Sequence, residues 1–211
     1  GDTSLLRVEW NGHSFEPDRD FSARYRLSEG QGYGWDAVID DHFAWFLDNG
    51  EGSENFDGTL RGHGVATNPL HLVRVDLESG EVALAAVCGL PGGLIANPPV
   101  IDPQRGLAVG YDSGNGVLAA FDTATLEKRW SRSQDHASHL ILYAESGELV
   151  TGDGNDTVIL DVATGAELAR AQQTTTLQSV LFPTPGRERD LYVTSFFSLA
   201  RVTAVRSTPT R

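Results

Sequence analysis

Short apolar segments separated by polar turns make up most of the chain. Each segment has about four to seven residues and is rich in Val, Leu, Ile and aromatic side chains, which is typical of β-strands. No segment sustains an apolar period of about 3.6 residues, the spacing that an amphipathic helix requires. The pattern therefore predicts an almost entirely β structure, with helix in less than about a tenth of the residues.

The strand pattern repeats along the chain. One apolar strand recurs four times, and its anchor residues, Asp76, Asp122, Asp161 and Thr203, are 46, 39 and 42 residues apart. Shorter apolar strands precede each copy, so each repeat is predicted to hold four short antiparallel strands. This is the period of a β-propeller blade. A β-sandwich is the alternative, but it does not require the same aspartate turn to return at this spacing.

The repeat also predicts how the chain is divided. Blades are expected at about 35–88, 97–132 and 138–172, with partial blades at 1–30 and 177–207. Leu5–Trp10 and Ser22–Leu27 are predicted to be strands of the first partial blade. The chain, 1–211, is then a single propeller domain of about four blade equivalents or a fragment of one. We favour an arc of a ring of about six to eight blades, because the chain starts at Gly1 without an initiator Met and a four-bladed ring leaves a surplus strand.

The segment Ala120–Trp130 carries a family resemblance. Its sequence, AFDTATLEKRW, resembles the repeat of pyrroloquinoline-quinone-type propellers, Ala-x-Asp-x-x-Thr-Gly-x-x-x-Trp, with Leu126 in place of the glycine. Weaker copies start at Asp76 and Asp161. The resemblance implies quinoprotein-like blades over about residues 35–205. It does not imply a quinone-dependent dehydrogenase, because such enzymes hold the quinone with a vicinal cysteine pair and calcium, and Cys88 is the only cysteine here.

The residues of this repeat motif, Asp76, Asp122, Asp161 and Trp130, are predicted to be structural. An aspartate at the end of a strand can accept backbone N–H groups of the following turn, and the glycine position tolerates positive φ. Trp130 is expected to be largely buried against the next blade. The motif thus specifies how blades fold and pack rather than a reaction.

Charge limits the partners that the chain can have. The net charge is −13, with 29 acidic against 16 basic residues. This balance argues against nucleic acid and against anionic membrane surfaces as partners. The longest uncharged segment, 82–101, is interrupted by prolines and glycines, so no membrane insertion is predicted. Because proteins with this repeat include many secreted ones, the resemblance implies an extracytoplasmic location.

Three acidic turns, at 48–57, 112–116 and 153–156, resemble calcium loops in composition but not in ligand spacing. They recur where β-hairpins need Asp, Asn and Gly, so we predict hairpin turns and no cofactor, with calcium as the alternative. The first turn also opens an insertion, residues 49–69, which is a candidate binding loop.

Polar residues before the first strand of each blade are predicted to converge on the mouth of a central channel. These residues are Asp36, Asn97, His139 and Gln178, with Trp35 beside Asp36. Asp36 and His139 come from blades two repeats apart and are expected to face each other. Two functions remain open. A non-catalytic binding or scaffold propeller would recognise a protein or glycan at this funnel, whereas a metal-assisted hydrolase, lactonase or lyase would use the same side chains as ligands or acid–base groups.

Overall fold

The computed structural model of the chain describes residues 6–24, 36–48, 69–91, 97–135, 139–154, 156–172, 182–194 and 199–203. The chain is divided into two compact units, 1–132 and 133–211. The first contains an amino-terminal hairpin and two sheets, and the second contains two further sheets. The single domain predicted for 1–211 and its ring remain predictions.

Four antiparallel sheets follow one another along the chain. Sheet I contains β3 (Val38–Ile39), β4 (Phe43–Leu47), β5 (Pro69–Asp76) and β6 (Val82–Pro91). Sheet II contains β7 (Val100–Asp102), β8 (Leu107–Asp112), β9 (Val117–Asp122) and β10 (Lys128–Ser133). Sheet III contains β11 (Ile141–Tyr143), β12 (Glu148–Asp153), β13 (Asp156–Asp161) and β14 (Glu167–Gln172). Sheet IV contains β15 (Phe182–Pro185), β16 (Leu191–Thr194) and β17 (Leu199–Val202).

Within every sheet the strands pair in chain order, as in a blade. Each strand is thus hydrogen-bonded to the strand that follows it, through a short turn in most cases. The predicted all-β architecture of four-stranded antiparallel sheets is confirmed.

The amino-terminal segment departs from the prediction. Here β1 (Arg7–Trp10) and β2 (Phe15–Asp18) form a separate hairpin, followed by α1 (Arg19–Arg24), the one helix among the described residues. The strand predicted at Ser22–Leu27 is therefore wrong for its first three residues. Asp18 explains the helix: its carboxylate accepts the N–H of Phe21 at 3.0 Å, as an N-cap does, and Phe21 is buried.

The core of the first unit lies between sheets I and II. Its larger cluster contains eight buried side chains, namely Trp45, Leu47, Leu70, Leu72, Val87, Ala108, Ala119 and Phe121. A second cluster consists of Phe21, Ala44, Phe46, Val73 and Val75. The two sheets approach closely at Gly110, where an added Cβ would lie 2.9 Å from Cδ2 of Leu47. A side chain at position 110 would displace the Leu47 side chain, so glycine here permits the close packing of the sheets.

Arg74 of β5 ties sheet I to a turn of sheet II. Its guanidinium lies over the rings of Phe43 (4.8 Å) and Trp45 (5.8 Å). Its Nη1 donates to the carbonyl oxygens of Thr123 and Ala124, at 2.5 and 2.9 Å. Because these carbonyls belong to the turn that follows β9, the side chain of Arg74 couples that turn to the neighbouring sheet.

The three motif aspartates accept hydrogen bonds from the same turn of their repeats. Oδ1 of Asp76 accepts the N–H groups of Glu78 and Ser79, at 2.9 and 2.7 Å. Oδ1 of Asp122 accepts those of Ala124 and Thr125, both at 2.9 Å. In sheet III, Oδ1 of Asp161 accepts the N–H and the hydroxyl of Thr164, at 2.9 and 3.0 Å. Each aspartate thus accepts hydrogen bonds from polar groups of the turn between the third and fourth strands.

Trp130 lies on β10 and is only partly buried. Most of β10 is exposed, because it is the outer strand of sheet II, whereas Trp130 is one of its less exposed residues. The packing of Trp130 against the next blade stays a prediction. Truncation of Trp130 should cost less than the roughly 3–5 kcal/mol typical of a fully buried aromatic side chain.

Candidate functional site

One edge of sheets I, II and III carries the polar residues that the sequence singles out. Asp36 lies two residues before β3, and Asp48 directly follows β4. Because β3 and β4 are antiparallel, the start of one and the end of the other lie at the same edge. The long connection from β4 to β5 leaves from this edge as well. In sheet II the corresponding residues are Asn97, three residues before β7, and Asp112 at the end of β8.

Asp48 and His71 close the base of the 49–69 insertion. The Asp48 side chain is fully buried. Its Oδ1 accepts the backbone N–H of His71 at 2.7 Å, and its Oδ2 lies 2.9 Å from Nδ1 of the imidazole. The backbone N–H of Asp48 in turn donates to the carbonyl of His71 at 3.1 Å. These contacts join the two ends of the insertion and hold the imidazole in one orientation.

The contact with Asp48 also sets the charge of His71. The hydrogen bond to the Asp48 carboxylate raises the pKa of His71 above its ordinary value, while burial opposes the shift. Because an ionised carboxylate accepts hydrogen bonds and has no donor, Nδ1 carries the proton of this hydrogen bond. A buried carboxylate that orients an imidazole through Nδ1 is the arrangement found in general bases and in metal-ligating histidines.

Asp112 is the corresponding residue of sheet II, and its contacts are those of a hairpin turn. Oδ1 of this buried aspartate accepts the N–H groups of Gly114 and Asn115, both at 3.1 Å. Its Oδ2 accepts Nδ2 of Asn115 at 3.0 Å, and the same Nδ2 donates to the carbonyl of Leu90 in β6 at 3.1 Å. The acidic residue of the turn 112–116 thus accepts hydrogen bonds from the backbone of its own turn, and Asn115 of the same turn is hydrogen-bonded to sheet I.

Asp153 occupies the same place in sheet III, within the second unit. Its Oδ1 accepts the N–H of Asp135 at 2.9 Å, and its Oδ2 accepts Nη2 of Arg170 at 2.7 Å. Arg170 also contacts Asp156 and Glu167, at 2.8 and 2.9 Å. This acidic turn is therefore engaged by an arginine of the outer strand.

The predicted funnel residues are placed as follows. Asp36 is exposed and Asn97 partly buried, both in the first unit, and His139 is partly buried in the second unit. Trp35 and Gln178 lie outside the described residues, as does most of the insertion. The convergence of Asp36 and His139 stays a prediction. In the part of the chain that the structure describes, no group of three or more His, Cys, Asp or Glu side chains could hold a metal ion.

His71 is the site residue that sequence reasoning missed. In sheet II the residue opposite the equivalent aspartate is Val117, and in sheet III it is Asp156. Those partners follow after a short turn, whereas His71 follows Asp48 only after the whole insertion. The available signal was the spacing in the sequence between His71 and the motif aspartate Asp76. This spacing aligns His71 with Val117 and Asp156, which start the third strand of sheets II and III.

Comparison with solved structures decides the type of fold. BamB from Moraxella catarrhalis matches with a TM-score of 0.59 and 15% identity over 93% of this chain and 55% of BamB. The dihydro-heme d1 dehydrogenase NirN, solved with DHE, matches with a TM-score of 0.53 and 12% identity over 85% of this chain and 38% of NirN. The chain has a quinoprotein-like β-propeller fold. Sheets I to III are its four-stranded blades.

The other comparisons add one propeller relative and no family. A luciferin-regenerating enzyme matches with a TM-score of 0.53 and 15% identity over 92% of this chain and 64% of the enzyme. No family model matches the propeller, and no curated protein is similar to it in sequence. The chain spans about half the length of the solved structures that it matches. At these identities the similarity shows the fold alone.

Proposed function

We propose that this propeller is a non-catalytic binding or scaffold module. It recognises a protein or glycan with the edge that carries Asp36, Asn97 and the 49–69 insertion. The observation that supports the proposal is the contact between Asp48 and His71, which fixes both ends of the insertion to adjacent strands. Long loops held by a rigid scaffold are common binding elements.

The comparison between repeats favours a dedicated role for the insertion. In sheets II and III the equivalent connection is a short turn, from Asp112 to Val117 and from Asp153 to Asp156. A hairpin needs no more than this to reverse direction. The insertion is therefore unnecessary for the blade itself, and a buried aspartate secures its base. A rigid base lowers the entropic cost of ordering a loop around a ligand.

A metal-assisted hydrolase, lactonase or lyase is the second candidate. The orientation of the His71 imidazole by Asp48 favours it, because such an imidazole can act as a base or a metal ligand. The second candidate would use calcium or another divalent ion as its cofactor. Neither candidate uses a quinone.

Charge and location complete the proposal. The net charge of −13 favours partners other than nucleic acid. Among the residues that the structure describes, no helix is long and apolar enough to cross a membrane. We propose an extracytoplasmic location and no membrane insertion.

A screen of the full chain against a glycan array and a displayed peptide library tests the proposal. The key variant replaces residues 49–68 by Asn-Gly and keeps Asp48 and His71, so that the base of the loop is retained. We expect this variant to lose binding while its unfolding midpoint stays within a few degrees of the wild type. The control, Asn11→Ala in the β1–β2 turn, should bind normally.

The enzyme alternative predicts a different result. Hydrolysis of simple lactones in the presence of Ca²⁺, lost in the variant His71→Gln, would contradict a purely binding role. Binding that survives removal of the insertion would contradict the proposal that the insertion recognises the ligand.

A further inference from the structure

A cleft of about 140 Å³ lies within the second unit, between sheets III and IV. One wall comes from β13 and β14, with Thr157, Ile159, Ala169 and Ala171. The other wall comes from sheet IV, with Leu191 and Val202. Ile159 pairs with Ala169 and Thr157 with Ala171, so these four side chains share one face of sheet III.

The repeat explains why space is left here. Ala169 is the eighth residue after Asp161, and Trp130 is the eighth after Asp122. Both lie on the fourth strand of their sheet. Sheet II thus carries an indole at this position, partly buried, whereas sheet III carries a methyl group that is exposed. The cleft lies where the repeat would place an aromatic ring.

The walls of the cleft are apolar. Ile159, Leu191 and Val202 belong to the hydrophobic cluster that joins sheets III and IV. A cavity of similar size, about 150 Å³ and lined by aliphatic and aromatic side chains, is large enough to bind benzene. Sites for larger ligands have volumes of about 300–1,000 Å³. The size of this cleft therefore suits a single ring or two fused rings.

Two arginines at the rim determine which charge a ligand can have. Arg170 contacts three carboxylates, those of Asp153, Asp156 and Glu167, at 2.7 to 2.9 Å. Arg189 pairs with Glu148, and its guanidinium lies 5.0 Å from the ring centre of Tyr143. Four carboxylates thus surround two guanidinium groups. Because the guanidinium groups already have carboxylate partners, the rim does not favour an anionic ligand.

We propose that this cleft binds a small neutral aromatic molecule of the size of indole. The ring would contact Ile159 and Ala169 on one side and Leu191 and Val202 on the other. A ligand this small gains little buried area, so we expect a dissociation constant on the order of 1 mM. The cleft belongs to the second unit, whereas the insertion of sheet I belongs to the first.

Titration of the full chain with indole, followed by ligand-detected NMR, tests the proposal. Saturable binding is expected to wild type. Ala169→Trp places an indole in the cleft and should abolish the binding while raising the thermal midpoint. The matched control is Leu168→Trp, which adds the same side chain to the exposed opposite face of β14 and should leave the binding unchanged.

Further measurements keep the proposal falsifiable. If Ala169→Trp does not fold, Ala171→Leu fills the same wall with a smaller group and should weaken binding at least tenfold. Indole-3-carboxylate should bind at least tenfold more weakly than indole. Failure of indole to saturate the wild type, equal binding to Ala169→Trp, or tighter binding of the carboxylate would each overturn the proposal. None of these results bears on the proposed function of the insertion.

Discussion

Leu126 has the left-handed backbone conformation that Gly80 has at the same position of the preceding repeat. Their φ angles are 58° and 74°, and Gly165 has 71° in the next repeat. All three N–H groups donate to the carbonyl of the motif aspartate four residues earlier, at 2.8 to 2.9 Å. A leucine adopts this conformation at a cost of about 1–2 kcal/mol. Its side chain offsets part of that cost, because it packs against the core between sheets I and II.

Substitutions of Leu126 should separate strain from packing. Leu126→Ala keeps the strained backbone and loses the packing, so it should lower the free energy of unfolding by about 1–2 kcal/mol. Leu126→Gly loses the same packing but relieves the strain, and should be more stable than the alanine variant by about 1 kcal/mol. Urea denaturation measures both. Glycine normally costs more stability than alanine in ordered structure. An alanine variant that is as stable as the glycine variant, or more stable, would therefore show that the backbone at position 126 is not strained.

Asp161 should contribute to stability and not to binding. Asp161→Ala removes the acceptor of the Thr164 N–H and hydroxyl, and should lower the free energy of unfolding by about 1 kcal/mol. Asp161→Asn keeps an acceptor oxygen and serves as the control, with a smaller loss. Urea denaturation and the indole titration give the two readouts. A loss of ligand binding at unchanged stability would assign Asp161 to a ligand site instead.

Gly110 should tolerate no side chain. Gly110→Ala places its Cβ 2.9 Å from Cδ2 of Leu47, in the core between sheets I and II. We expect a loss of about 1–3 kcal/mol from overpacking. Leu47→Val removes the carbon that clashes, so the double variant should be less destabilised than the sum of the two single variants. Additive losses in this double-mutant cycle would show that the close approach of the sheets does not limit position 110.

The strand order was predictable because it depends on local signals. Asp76, Asp122 and Asp161 mark the same turn in three repeats, and the apolar segments between them are too short for anything but strands. The fold class follows from this spacing. The same local signals failed near the amino terminus, where Asp18 caps a helix and Phe21 is buried by tertiary packing that the sequence pattern does not show.

The candidate site was harder to predict because it depends on pairing across an insertion. Asp48 was recognised as a turn residue, but its partner His71 is 23 residues away along the chain. Only the register of β4 and β5 brings them together. Trp130 shows the complementary limit. Its motif indicated the strand on which it lies, but not how far each side chain of this outer strand is exposed.

The contact between His71 and Asp48 should make stability depend on pH. The pKa of His71 is raised above 6.5 by the hydrogen bond to Asp48, so the folded chain holds this proton more tightly than the unfolded chain does. The contribution is fully present below pH 6.5, the ordinary pKa of the histidine, and is lost as the pH rises through the raised value. We therefore expect the urea midpoint of wild type to fall as the pH rises above 6.5 and through the raised pKa of His71.

Two variants assign this dependence to the pair. His71→Gln should flatten this pH dependence, because it removes the group that titrates beside Asp48. In an NMR titration the pKa of His71 should return toward its ordinary value in Asp48→Asn, because the amide carries no charge to stabilise the imidazolium. A wild-type His71 that titrates at or below its ordinary pKa would show that burial outweighs the carboxylate. The base of the insertion would then be held by a neutral histidine at every pH above its titration.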